Sequence, residues 1–185
     1  MELSRTLSAW DEWLLLKLNL AGHVPWDTLV WYATKGWLWI PLYVWAVGIL
    51  VRKWGKRVWR PLIAVGLAWG ASDLLTGKLL KPWIQRLRPS HEPHLQSQLR
   101  LIQEYRGGLY SFPSSHAANS AATFTAYTYY FRHPWVYALG VPWVLLHSYT
   151  RIYMGVHYPS DIIAGWAIGY AIGLLVPRLT LATHG

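Results

Sequence analysis

Apolar residues in this chain fall into blocks, and most of the blocks are long enough to be helices crossing a bilayer. A spanning helix needs about 20 mostly apolar residues, with a range of roughly 17 to 25. Trp37 to Val51 meets this once a few flanking residues are counted, and Pro61 to Leu80 meets it despite the charge of Asp73. Ala117 to Phe131 is rich in Ala, Thr and Tyr, Pro134 to Tyr149 is apolar, and Ile162 to Val176 is apolar with glycines, which makes five blocks. In the first 35 residues, Trp13 to Leu16 and Thr28 to Tyr32 are apolar but broken by Gly22, His23, Pro25 and Asp27. That pattern allows one distorted span or two helices lying at headgroup depth. We take it as a sixth, imperfect span.

Between the Pro61 to Leu80 and Ala117 to Phe131 blocks lies one long polar stretch, roughly Arg86 to Ser111. It contains His91-Glu92-Pro93-His94, a possible short amphipathic helix over Leu95 to Tyr105, and a turn at Gly107-Gly108. Loops of this length are uncommon unless disordered or functional. The pattern therefore predicts an all-α integral membrane bundle of about six transmembrane helices. It is expected to form a single membrane-embedded domain over residues 1–185, with an extramembrane loop at about 86–111. Met1 to Arg5 lacks the charged region and cleavage site of a signal peptide, so insertion is expected to use the helices themselves.

Composition agrees with a bilayer as solvent: 54% of residues are hydrophobic and only 14% charged, with 14 Trp and 12 Tyr, too few polar groups to wet the surface of a soluble domain of this size. The net charge of +9 raises nucleic acid as a partner, because clustered cations release counterions from a phosphate backbone. Here the cations sit between long aromatic blocks, so no nucleic acid is expected and anionic lipid headgroups fit better. There is no Cys, hence no disulfide framework and no thiolate metal site. Arg52, Lys53, Lys56, Arg57 and Arg60 cluster in one short loop, which the positive-inside rule makes cytoplasmic. Arg132 and Arg178 then return to that side, while the long loop and Thr150 to Asp161 fall on the opposite face.

Three clusters meet on that opposite face: Lys81 to Pro89, Pro113-Ser114-Ser115-His116, and Thr150-Arg151 followed by His157 and Asp161. Lys81 offers a compact charge, and Arg88 and Arg151 offer planar donor forks suited to phosphate oxygens. Taken singly, each could be a cation snorkelling to headgroups. Ser114 and Ser115 precede an apolar block, where a serine caps a helix and free backbone N–H groups favour an anion. His116 adds an imidazole able to protonate a leaving oxygen. Pro159 suits the first position of a helix, placing Asp161 in its first turn and His157 just outside. Asp161 could merely complement the helix dipole, or accept from one ring nitrogen of His157 and leave the other free as a nucleophile.

The segments Lys81 to Pro89, Pro113 to His116 and Thr150 to Asp161 resemble the three-part signature of the type 2 phosphatidic acid phosphatase superfamily. Order and internal spacing both match. The resemblance implies that His157 attacks phosphorus to form a phosphohistidine, that Asp161 orients it, and that His116 protonates the leaving oxygen and later activates water. It implies that Lys81, Arg88, Arg151, Ser114 and the backbone N–H of Ser115 hold the phosphoryl oxygens, with no metal ion and no cofactor. The family usually has Gly at Ser115 and Ser at Thr150. Ser115 is acceptable if its backbone angles do not require Gly, and Thr150 keeps the hydroxyl. The implied activity is hydrolysis of a phosphate monoester or diphosphate on a membrane lipid in the bacterial inner membrane, with the site facing the periplasm or cell exterior.

Undecaprenyl diphosphate is the substrate this reading leans towards, with phosphatidylglycerophosphate, phosphatidic acid and lipid A as alternatives. A non-catalytic lipid-binding membrane protein would keep the spans but has no need of His116, His157 and Asp161 together. A soluble haloperoxidase using the same anion site would not carry these apolar blocks. His91 and His94 could ligate a metal, but this loop has no Cys and the Pro93 break disfavours a preformed pair. Asp73 is expected to hydrogen-bond within the bundle near Ser72 and Thr76.

Overall fold

The computed structural model describes residues 2–21 and 24–182. Among them there is no strand, only one isolated antiparallel bridge between Leu87 and Tyr110. Helix α1 spans Glu2–Leu20, α2 Val24–Ala33, α3 Ile40–Trp54 and α4 Trp59–Asp73. Without a break, α4 passes through a π-helical stretch, Leu74–Leu80, into the four-residue α5, Lys81–Ile84. The result is one rod of 26 residues, about 39 Å long at the usual rise per residue. After the long loop come α6, Ser115–Tyr130, α7, Pro134–Tyr153, and α8, Pro159–Ala182.

By length and composition alone, Trp59–Ile84 and Pro159–Thr180 can cross a membrane, and Pro25–Ala33 with Gly36–Arg57 makes a third span if a pair bent by 77° counts as one. The apolar blocks at 117–131 and 134–149 are helical as expected, yet α7 is not among those candidate spans and α6, at 16 residues, is too short to be one. Helix α6 sits inside the bundle. It packs against α4, α7 and α8, so it meets other helices rather than lipid on most sides. Its buried Ser120 and Thr128 hydroxyls donate to the carbonyls of Ala117 and Thr125, at 3.1 and 2.9 Å, which satisfies them inside the bundle.

Close approach of α6 to α8 depends on glycine. A Cβ on Gly165, Gly169 or Gly173 would stand 2.6 Å from the Ser114 carbonyl oxygen, 2.1 Å from that of Ala118 and 2.6 Å from the Thr125 Cβ. These three glycines recur every four residues on one face of α8, and they meet buried alanines of α6 at 117, 118, 121 and 122. Small residues at such an interface let backbones approach closely in a medium that supplies no hydrophobic drive between helices.

Two sequence expectations change. The first 35 residues form two separate helices, α1 and α2, in place of one imperfect span; Gly22 and His23 lie outside the described residues. Helix α1 packs on α7 and α8, and α2 packs on α7. Polar residues hold them there: fully buried Asn19 donates to the carbonyls of Arg100 and Tyr153 at 3.0 and 2.7 Å and accepts from the Arg100 N–H at 2.9 Å. The amphipathic helix over Leu95 to Tyr105 does not form either. Residues 93–98 are turns and Ile102–Glu104 is a single 3-10 turn, with Gln103 and Glu104 at φ 50° and 54°. Leu95 and Ile102 are buried in different apolar clusters, and Asn19 takes the backbone of Arg100 that a helix would need.

At the far end of the bundle, Lys53 donates to the Tyr130 carbonyl at 2.9 Å. The basic 52–60 segment thus sits beside the C-terminus of α6, a full helix length from the α6 N-terminus. Every cluster with candidate chemistry lies at the other end.

Candidate active site

Pro159 opens α8, so the chain turns sharply there and delivers His157 and Asp161 to the same spot; both are fully buried. One oxygen of Asp161, Oδ2, lies 3.3 Å from His157 Nδ1 and accepts from the Tyr158 N–H at 2.9 Å. On its other side, His157 Nε2 is 3.1 Å from Arg88 Nη1. A guanidinium can only donate. Nε2 therefore carries the lone pair, and the ring proton sits on Nδ1, donated to Asp161. Burial, reinforced by the charges of Arg88, Lys81, Arg151 and Arg86, pushes His157 well below its usual 6.5, so the imidazole is neutral at pH 7.

Arg88 is held by the loop around it. Its N–H donates to the Leu109 carbonyl at 3.0 Å, its Nη1 also reaches the Val156 carbonyl at 3.2 Å, and the neighbouring Ser111 N–H donates to the Arg86 carbonyl at 2.8 Å. Gly107, at φ 68°, passes over the guanidinium so closely that a Cβ would meet Nη1 at 3.0 Å. Arg88 and Lys81 share the wall of a cavity of about 410 Å³ with Asp73, Gly77 and Tyr110. Arg151 is 3% exposed; its Nε donates to Thr150 Oγ1 at 3.1 Å. Its Nη2, like Nε of Arg88, is buried with no acceptor among the described residues. Two buried guanidinium N–H groups without acceptors are costly in isolation, and an anion between them would supply what is missing.

The Pro113 to His116 segment is tied to the same spot from the other helix. Ser114 caps α6 by accepting from the Ala117 N–H at 3.5 Å, and its own N–H donates to the Asp161 carbonyl at 3.0 Å. Ser115 is the first residue of α6 and is not among the residues with positive φ. Its hydroxyl accepts from Thr76 Oγ1 at 3.0 Å. The side chain thus fits without distorting the loop. Thr150 keeps its hydroxyl in use, donating to the His147 carbonyl at 2.8 Å while accepting from Arg151. His116 follows Ser115 in the first turn of α6, with its ring 5.5 Å from that of His147, and it stands within electrostatic reach of Arg151, His147, His157 and Lys81.

All eight predicted site residues therefore converge on one end of the bundle. His157, Asp161, Arg88 and Ser114 are joined by direct hydrogen bonds, whereas the Ser115 hydroxyl turns to Thr76. Asp73 finds a partner other than Ser72 or Thr76: its Oδ1 accepts from Asn119 of α6 at 2.9 Å. His91 lies 3.3 Å from Ser90 Oγ and His94 lies 3.2 Å from Glu12, so the two histidines have separate neighbours. The sequence reading passed over Asp11 and left Arg86 without a role. Arg86 Nη1 donates to Asp161 Oδ1 at 2.9 Å and Nη2 to Asp11 Oδ2 at 2.7 Å. No local signal marks a contact between positions 75 residues apart.

The model of the PAP2 superfamily matches residues 57–184. A lipid A 4'-phosphatase from Bacteroides thetaiotaomicron is 34% identical over 165 residues, covering 88% of this chain and 73% of that protein. An undecaprenyl-diphosphatase from Sulfolobus acidocaldarius is 43% identical, over 67 residues that cover 36% of this chain and 32% of that protein. The crystal structure of the first transmembrane PAP2 type phosphatidylglycerolphosphate phosphatase from Bacillus subtilis superposes with a TM-score of 0.73 at 24% identity, covering 96% of this chain and 87% of that one. That likeness extends the shared fold over α1 to α3, which the family match leaves out.

Proposed function

This chain belongs to the PAP2 superfamily and is a membrane lipid phosphatase of that kind, and from this premise we propose that it removes phosphate through a covalent phosphohistidine at His157. The observation that carries the proposal is the arrangement of the imidazole, with Nδ1–H on Asp161 and the lone pair of Nε2 on Arg88. When a phosphoryl group enters, Arg88 exchanges its contact with Nε2 for one with a phosphoryl oxygen and the lone pair is released to attack phosphorus. Lys81, Arg88, Arg151, Ser114 and the backbone N–H of Ser115 hold the three oxygens and stabilise the charge that builds on them. His116 protonates the leaving oxygen as the P–O bond breaks. It then takes a proton from the water that attacks the phosphohistidine, returning His157 and releasing inorganic phosphate.

We further propose that the substrate is lipid A bearing a phosphate monoester, ahead of the undecaprenyl diphosphate to which the sequence alone leans. The lipid A 4'-phosphatase aligns over most of both chains, whereas the undecaprenyl-diphosphatase aligns over about a third of each. The proposal includes location: the bacterial inner membrane, with the site facing the periplasm. The basic 52–60 segment, a helix length from the site, supports that orientation.

Purified protein in detergent, assayed for phosphate release from lipid A, phosphatidylglycerophosphate, phosphatidic acid and undecaprenyl diphosphate, tests both parts. Lipid A is expected to give the highest kcat/KM. His157→Ala is expected to abolish release and the acid-labile phosphoenzyme together; substantial turnover by that variant would refute the nucleophile.

A further inference from the structure

The nucleophile's support extends two residues beyond the Asp161 carboxylate, to Arg86 and then to Asp11, and this last member comes from α1, outside the region the family model matches. Asp161 uses Oδ2 for His157 and the Tyr158 N–H, and Oδ1 for Arg86. Arg86 spreads its fork: Nη1 also reaches Ser160 Oγ at 2.7 Å, Nη2 goes to Asp11, and the guanidinium plane lies over the Tyr158 ring with its carbon 3.8 Å from the centroid. Asp11 then closes the circuit onto α8, with Oδ1 accepting from the Ser160 N–H at 2.9 Å and Oδ2 accepting from the Ser160 hydroxyl. Each carboxylate oxygen and each Arg86 terminal nitrogen thus has a named partner. The loop that carries Arg86, the first turn of α8 and the body of α1 all meet at this point.

We propose that Asp11 and Arg86 are positioning residues for the His157 nucleophile: Asp11 fixes Arg86, Arg86 fixes the rotation of the Asp161 carboxylate, and Asp161 fixes the imidazole. The inference rests on the phosphohistidine reading above. Physically, without Arg86 the Asp161 carboxylate would keep the Tyr158 N–H and Ser111 but lose the charged donor that holds Oδ1, and it would have more freedom to rotate away from Nδ1. With Oδ1 tied to a fork that is itself tied at its other end and stacked on Tyr158, only Oδ2 remains for the imidazole. Partners one step removed from a reacting group often matter by about 10- to 100-fold. Asp11 also accepts from a backbone N–H in the first turn of α8, so a purely structural role as a helix-end acceptor is the competing account.

Steady-state kinetics on full-length protein in detergent separates the two, with rates normalised to the amount of enzyme that can be phosphorylated in a single-turnover burst. Asp11→Asn and Arg86→Gln are expected to lower kcat about 10- to 100-fold with KM within about twofold, because the groups that hold the phosphoryl oxygens are untouched. The charges facing His157 are Arg88, Lys81, Arg151 and Arg86, with Asp161 opposite. Removing Arg86 removes one of the cations that hold the ring neutral, so the acid limb of the kcat profile should move to higher pH in Arg86→Gln. In Arg86→Lys, which keeps the charge and loses the fork, that limb should stay in place while kcat stays low.

A helix-end role alone would lower the phosphorylatable fraction and leave normalised kcat and the pH profile at wild-type values, which would overturn the proposal. In that case His157→Ala would still be inactive beside an active wild type. No phosphate release from the wild type on any lipid would instead bring down the phosphatase reading.

Discussion

At the scale of single residues, the decisive fact is that His157 is buried neutral among four cations. Its folded pKa lies well below the unfolded value of about 6.5, so below pH 6.5 the unfolded chain takes up a proton that the folded chain refuses. The stability linked to this ring is therefore complete above pH 6.5 and is lost as the pH falls towards the folded value. Activity follows the same ring. The acid limb of kcat is expected below pH 6.5, where Nε2 protonates, and a titration of kcat from pH 4 to 9 checks it. Asp161→Asn should cost on the order of 100- to 10,000-fold in kcat, since an amide can present its NH2 to Nδ1 and favour the other tautomer. KM is expected to change little, which steady-state assays on that variant would show. Ser115→Gly is a milder case. Ser115 has an ordinary backbone and a hydroxyl that accepts from Thr76, so the change should leave turnover nearly intact and lower stability by about 1 kcal/mol or less, measurable by thermal unfolding.

Among the elements, the pair that matters most is α6 with α8, because one carries Ser114 and His116 and the other Asp161. Their registration rests on the glycines at 165, 169 and 173, and at Gly169 a Cβ would meet the Ala118 carbonyl oxygen at 2.1 Å. Backbone atoms cannot step aside as a flexible side chain would, so Gly169→Ala must push the helices apart. Overpacking of this kind typically costs about 1–3 kcal/mol. Gly169→Ala is expected to lower the unfolding midpoint and to reduce kcat as well, whereas Gly66→Ala, on α4 with open space at its Cβ position, should do neither.

The helical blocks from residue 37 onwards were legible because their apolar runs are long enough for helices, and Ser114, His116, His157 and Asp161 because Ser114 and Pro159 announce the helix starts beside them; Lys81, Arg88 and Arg151 carry no such local mark. The glycine spacing is visible in the sequence, but its partner helix is not. The loop over Leu95 to Tyr105 misled because its apolar spacing suits a helix, while its actual anchors, Asn19, Leu15 and Val30, lie far away in the chain. Asp11 was invisible for the same reason: its partners Arg86 and Ser160 are 75 and 149 residues distant.

Across the whole molecule, the basic 52–60 segment and the candidate chemistry lie at opposite ends. The 52–60 segment, with five cations, is anchored near the end of α6 by Lys53, and the continuous rod of α4, the π-helical stretch and α5 runs from there to Lys81. Among the cations at the site end, Arg86 and Arg100 are ion-paired with Asp11 and Asp27, Arg88 lies against His157, and Arg151 is buried. The orientation rule counts Lys and Arg whatever their acidic neighbours, so the side of the membrane that the site faces is decided by labelling. The absence of cysteine allows a direct test. Ser97→Cys lies in the long loop and Lys56→Cys in the basic segment, and both positions are exposed. An impermeant maleimide applied to intact spheroplasts is expected to label Ser97→Cys at once and Lys56→Cys only after lysis. The reverse order would put the site on the cytoplasmic side, where it would meet lipid phosphates of the inner leaflet instead.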